Sequence, residues 1–154
     1  MINNSHEIIM KVLLATFLSG LVGAEREIRS KDAGLRTHIL VAVGSTLIVL
    51  TSLYLSDIYK TTFSMDPTRM ITGVVQGIGF LCGGAILHAG ATSVKGLTTA
   101  ATLWIVSGIG IAVGAGDYIS AVVVTLVVLL VLLVVWRVEA MIHDYGKKKK
   151  QNNS

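Results

Sequence analysis

The sequence predicts an all-α, polytopic membrane protein of about five transmembrane helices, with glycine-rich helices at its centre. Three observations carry that prediction. Of 154 residues, 53% are hydrophobic and one is proline, and the mean hydropathy is +0.72. A soluble domain of this size has too little interior for so much apolar surface. The apolar residues fall into five long runs, at 8–24, 37–55, 70–87, 98–113 and 118–136, with most charges in the gaps between them. A helix rises about 1.5 Å per residue, so about 20 residues cross the hydrocarbon layer.

The first run contains Lys11, whose stem is long enough to carry its ammonium to the nearby interface. No basic leader precedes this run and Glu25-Arg26-Glu27 follows it, so a retained helix is expected rather than a cleaved signal. Residues 24–38, "AEREIRSKDAGLRTH", then place seven charged residues among fifteen before the second run resumes.

The third run opens with Asp66-Pro67, the form of an N-cap followed by proline at the first helical position. Arg69, one turn inside, must reach outward or find a carboxylate. Gly73, Gly77 and Gly84 share one helical stripe, and Gly79 and Gly83 share a neighbouring one with Thr72 and Gln76. Small residues let helix backbones approach closely in lipid, so the third helix is expected to be central, with neighbours on two sides. Ser107, Gly110 and Gly114 continue the pattern on the short fourth run. The fifth run is nearly all valine and leucine with an aromatic residue near each end, the profile of a lipid-facing anchor. Residues 1–137 thus form the membrane domain and 138–154 a basic tail.

The gaps also set an orientation. Ten lysines and arginines fall on the side holding residues 26–36, Lys95, Arg137 and Lys147 to Lys150, against three (Lys11, Lys60, Arg69) on the other. The positive-inside rule places the N-terminus outside and the C-terminus in the cytoplasm. The net charge of +4 is gathered in those gaps and not interleaved with aromatics, which suits anionic lipid headgroups and excludes nucleic acid as the expected partner. The single cysteine, Cys82, excludes an intramolecular disulfide and reads as a small core residue.

A faint repeat links the halves. Gly-Leu-x-Thr opens the second run at Gly34, Leu35 and Thr37, and the fourth at Gly96, Leu97 and Thr99. Both would begin at the cytoplasmic face, as parallel repeats about an axis along the membrane normal. Threonine near each helix start can satisfy free N–H groups, and the helix dipoles favour anionic partners such as the carboxylates of 24–38.

Three stretches together resemble the MgtC/SapB family of membrane proteins: "GLVGAEREIRSKDAGLRTHILVAVG", "DPTRMITGVVQGIGFLCGGAIL" and "VKGLTTAATLW". The resemblance implies a bacterial inner-membrane protein tied to magnesium homeostasis, low-magnesium adaptation and host stress. It also implies regulation of other membrane proteins, including ATP-driven machines. The family's polar signature maps onto Glu25, Arg26, Glu27, Arg36 and Thr37, then Asp66 and Arg69, then Thr98 and Thr99. Asp32 joins this candidate polar cluster from its position in the loop. Longer members add a soluble C-terminal domain, whereas this chain ends in "GKKKKQNNS", and Thr98 stands where virulence-type members tend to carry asparagine. The chain therefore looks like a short SapB-like member.

No zinc, nucleophile-elbow or phosphate-loop motif is present and the four histidines are scattered, so neither an enzyme nor a resident cofactor is expected. Two readings stand. The first is a regulator or scaffold that pairs with itself as a homo-oligomer or with a partner's helices. Within it, Glu25 and Arg36 are expected to pair across the neck of the loop. The second is a small cation transporter or channel, with Glu25, Glu27 and Asp32 as an acidic vestibule. Glu25 and Glu27 are then the candidate oxygen ligands for Mg2+.

Overall fold

The computed structural model describes residues 5–60, 66–87 and 95–151, with side chains described through 135 and at 137 in the last stretch. They form five helices: α1 (Ser5–Ile28), α2 (Leu35–Tyr59), α3 (Thr68–Leu87), α4 (Leu97–Ala115) and α5 (Tyr118–Gln151). Each contains a stretch long and apolar enough to cross a membrane. The five expected runs are these five helices, and no strand occurs among the described residues. α5 continues beyond its apolar part through the basic segment.

The helix ends follow local chemistry. Asp66 accepts hydrogen bonds from the Thr68 N–H (2.9 Å) and hydroxyl (2.7 Å), so the expected cap opens α3. These bonds hold the Asp66 carboxyl below the usual carboxylate range. Asp117, before α5, is lowered the same way by the Ser120 side chain and backbone. α4 ends at Gly116, left-handed with φ 90°, and Asp117 N–H reaches the Ala112 carbonyl at 2.9 Å. α1 ends in the same kind of turn with a serine in the strained place: Ser30 has φ 53°. Its neighbour Lys31 donates to the Arg26 carbonyl at 3.0 Å.

The core is built on α4, not α3. Ten residues of α4 are buried, including Leu103, Val106, Ile109 and Val113, and α4 packs against all four other helices. Along α3, Ile78 is the single buried residue among those described. α3 does have neighbours on two sides, α4 and α2, but the expectation that it is central is corrected here, and the reason is partner shape. Gly110 lies against the Ala42 backbone so closely that a Cβ there would collide with the Ala42 carbonyl. Gly114 likewise receives Val49. The glycines of α3 have no such counterpart among the described residues: a Cβ at Gly73, Gly77, Gly79, Gly83 or Gly84 would meet none of them within 4 Å.

Polar groups inside the bilayer must be satisfied within the protein. Ser45 and Ser107 hydroxyls meet at 2.8 Å, and the Thr46 hydroxyl donates to the Gly110 carbonyl at 2.8 Å. These pairs run in the same sense along both chains, so α2 and α4 are parallel, as the repeat predicts. Lys11 is 4% exposed and does not reach outward as expected. Its ammonium donates to the Gly114 carbonyl (3.2 Å) and pairs with Glu7 (2.9 Å). A cation thereby sits on the carbonyl end of α4, where the helix dipole is negative.

Candidate functional site

The end of the bundle that holds the α1–α2 elbow gathers most of the charged signature. Gly23 brings α1 against the start of α2, with a position for Cβ only 2.8 Å from Leu35 Cα and 3.0 Å from His38 Cβ. That contact carries the next turn of α1, Glu25 to Ile28, directly beneath the elbow.

Glu25 and Arg26 are both buried there. Arg26 lies 3.4 Å from Glu25 Oε2, and Arg29, one turn on, pairs with Glu25 Oε1. The expected Glu25–Arg36 pair does not form: Glu25 is held by its own helix, and Arg36 is exposed on the first turn of α2. One helical turn separates residues 25 and 29, so the local partner wins over one that needs the loop to fold back. Arg26 Nε is buried without a hydrogen bond among the described residues.

Glu27 does different work. Its carboxylate accepts the Leu35 N–H at 3.0 Å and so caps α2. A side chain at Gly34 would overlap that carboxylate, which is why glycine precedes the helix. The expectation that a loop carboxylate meets the positive end of α2 holds for Glu27. No cap from a threonine side chain is present at Gly34 or Gly96. The two Gly-Leu starts also differ in backbone: Gly34 is extended (φ −107°), whereas Gly96 is left-handed (φ 83°) with the Ala85 carbonyl against it.

Beneath this layer lies His38, fully buried. Its Nδ1 is 2.8 Å from the Gly34 carbonyl, and its Nε2 is 3.1 Å from the Thr102 hydroxyl. A carbonyl only accepts, so Nδ1–H donates and the neutral ring offers Nε2 to Thr102. The single Thr102 hydroxyl proton lies between two acceptors, this Nε2 and the Thr99 carbonyl at 2.8 Å, which share it.

The signature therefore divides. Glu25, Arg26, Glu27 and Thr99 come together around the elbow, with half-buried Thr37 nearby on α2. Asp32, Arg36 and Thr98 are exposed at the same end. Asp66 and Arg69 lie at the opposite end of the bundle, where Ser52 donates to the Pro67 carbonyl at 2.9 Å and Arg69 is exposed. Glu25, Glu27 and Asp32 do not form one acidic vestibule, because Glu25 faces arginines and Glu27 faces a backbone amide. No group of three or more His, Cys, Asp or Glu side chains suited to a metal occurs among the described residues. His38 was not singled out by sequence, although its place four residues after Gly34 is a readable signal. Cys82 is half-buried and donates weakly to the Ala100 carbonyl.

Residues 12–141 match the model of the MgtC family. An uncharacterised protein of Haemophilus influenzae is 36% identical over 96% of this chain. The "Putative magnesium transporter YhiD" of Escherichia coli is 40% identical over 82%, and Protein MgtC of Salmonella typhimurium 42% identical over 79%. The chain spans 64%, 59% and 49% of the lengths of those three relatives. No solved structure matches. With the family model covering most of its length, and with five helices suited to crossing a bilayer, this chain is a multi-pass membrane protein that belongs to the MgtC family.

Proposed function

We propose that this chain is a non-catalytic membrane regulator or scaffold linked to magnesium homeostasis and to adaptation under low magnesium or host stress. The observation that carries the reading is the unfilled glycine face of α3. In lipid, helices associate through close packing of small residues and through interhelical hydrogen bonds. α4 uses its glycines in this way within the chain, whereas Gly73 and Gly77 of α3 line an open cleft of about 620 Å³ beside Leu40, Gly44 and Ile48 of α2. Gln76 is exposed near the middle of α3 with no hydrogen bond among the described residues, and an amide in hydrocarbon requires a partner. A helix from a second copy or another membrane protein would supply both the packing and the bond. Magnesium enters through the description of the Escherichia coli relative. The charge distribution supports a bacterial inner-membrane orientation with the elbow and basic tail in the cytoplasm.

Cation transport is the second reading, favoured by that same description. Against it, both carboxylates that would bind Mg2+ already hold protein partners. Liposomes loaded with a magnesium indicator separate the two readings. The scaffold reading expects no protein-dependent flux, together with crosslinks from a cysteine placed at position 77 to a second chain or a partner. Flux that scales with protein and is lost on changing Glu25 or Glu27 would establish transport instead.

A further inference from the structure

A second cleft, separate from the α3 face, lies between α1 and α5. Its volume is about 670 Å³. Leu21, Ile28, Leu129 and Leu133 form an apolar wall, and Glu25, Arg29 and Lys31 close one end. Leu21 and Ile28 belong to the stretch of α1, and Leu129 and Leu133 to the stretch of α5, that are apolar enough to cross a membrane. Lys31 and Arg137 follow those stretches in the chain, so cations succeed the apolar wall on both sides of the cleft.

Charge at that end favours an anion. Glu25 is neutralised by Arg26 and Arg29, so it does not repel one as a free carboxylate would. Lys31 is exposed and forms no ion pair with any described residue. On α5, residues 129, 133 and 137 recur every four positions, so Arg137 continues the Leu129–Leu133 stripe one turn further out. Arg137 is exposed. Among the described residues, Asp32, beside Lys31, is the one exposed acid close by that has no assigned partner. α1 with the turn that follows it, and α5, thus present the same order, apolar side chains then a cation.

We propose that this cleft holds one anionic phospholipid, its acyl chain on the leucine wall and its phosphate against Lys31 and Arg137. A free phosphate would satisfy the cations and leave the wall open. A zwitterionic lipid would fill the wall while its own ammonium or choline opposes the cations. The anionic lipid meets both.

The test uses the full chain purified in a neutral detergent. Dioleoyl phosphatidylglycerol, acyl-matched phosphatidylcholine and inorganic phosphate are added separately, and melting temperature and lipid retention by native mass spectrometry are read. Phosphatidylglycerol should raise the melting temperature and remain bound, while the other two should do neither. The double variant K31Q/R137Q should bind phosphatidylglycerol about 30-fold more weakly, since each surface cation contributes about a tenfold or smaller factor. Leu133→Trp, which fills the wall without touching charge, should also displace the lipid. Lys60→Gln, at the other end of the bundle, should change nothing. Equal effects of the two lipids, an equal shift with inorganic phosphate, or binding that survives both sets of changes would overturn the proposal. Arg137→Gln alone keeps the test readable if the double variant melts early in phosphatidylcholine.

Discussion

His38 Nε2 stands 3.1 Å from the Thr102 hydroxyl, and this bond joins α2 to α4 across 64 residues of sequence at the level of the elbow. Because His38 is fully buried, nothing else replaces Thr102 as its partner. Thr102→Val keeps the shape and removes the hydroxyl, so it should destabilise the protein by about 1–3 kcal/mol. His38→Ala should cost more, because it also opens a cavity. A double-mutant cycle followed by thermal melting in detergent should give a coupling above about 0.5 kcal/mol. Simple additivity would show that the bond contributes nothing.

Glu25 compensates two arginines in a buried setting. Glu25→Gln should therefore destabilise by about 3–5 kcal/mol, the usual consequence of leaving a buried charge unpaired. Arg36→Gln, exposed and outside this group, should leave the melting temperature unchanged. Equal losses from both variants would restore the idea of a pair across the neck.

Two glycine substitutions should act in opposite directions. Gly110→Ala pushes α2 from α4 and should cost about 1–3 kcal/mol by overpacking. Gly77→Ala, with open space around it, should stabilise the isolated chain by about 0.5–1 kcal/mol through helix propensity. In native membranes, that same variant should weaken any crosslink made through α3.

Much of this fold is written in short-range pattern. The five spans follow from hydropathy, and the Asp66 cap and the left-handed Gly96 follow from local backbone needs. What escaped was pairing. Glycines on α3 announce a capacity for close approach, but whether a compact partner sits opposite is decided elsewhere in the chain. Ala42 and Val49 provide it for α4. His38 and Lys11 escaped for the same reason, since their partners lie 64 and 103 residues away.

Ser30 occupies a left-handed position that glycine adopts without strain. Ser30→Gly should stabilise the protein by about 1 kcal/mol, visible as a higher melting temperature with no change in helix content. A lower melting temperature would mean that the serine side chain contributes something the turn needs.

Acid should act through the caps. Asp66 and Asp117 are held below the usual carboxylate range by hydrogen bonds present only in the folded state. A depressed folded value means that their contribution is complete above the ordinary carboxylate pKa. It disappears as pH falls through the folded value. Melting temperature plotted against pH should decline below about pH 4, and the decline should be shallower in Asp66→Ala. An unchanged acid limb in that variant would remove Asp66 from the explanation.

The bond from Lys11 to the Gly114 carbonyl has a consequence for how the chain is made. During synthesis α1 reaches the bilayer long before its acceptor has been translated. Until α4 arrives, the lysine needs water, its own Glu7 or the insertion machinery to accommodate its charge. A ribosome halted before codon 114 would thus leave an α1 whose ammonium lacks its final seat. Seating of the Lys11 ammonium is therefore a late event in biogenesis, and it reports that the fourth helix has been delivered.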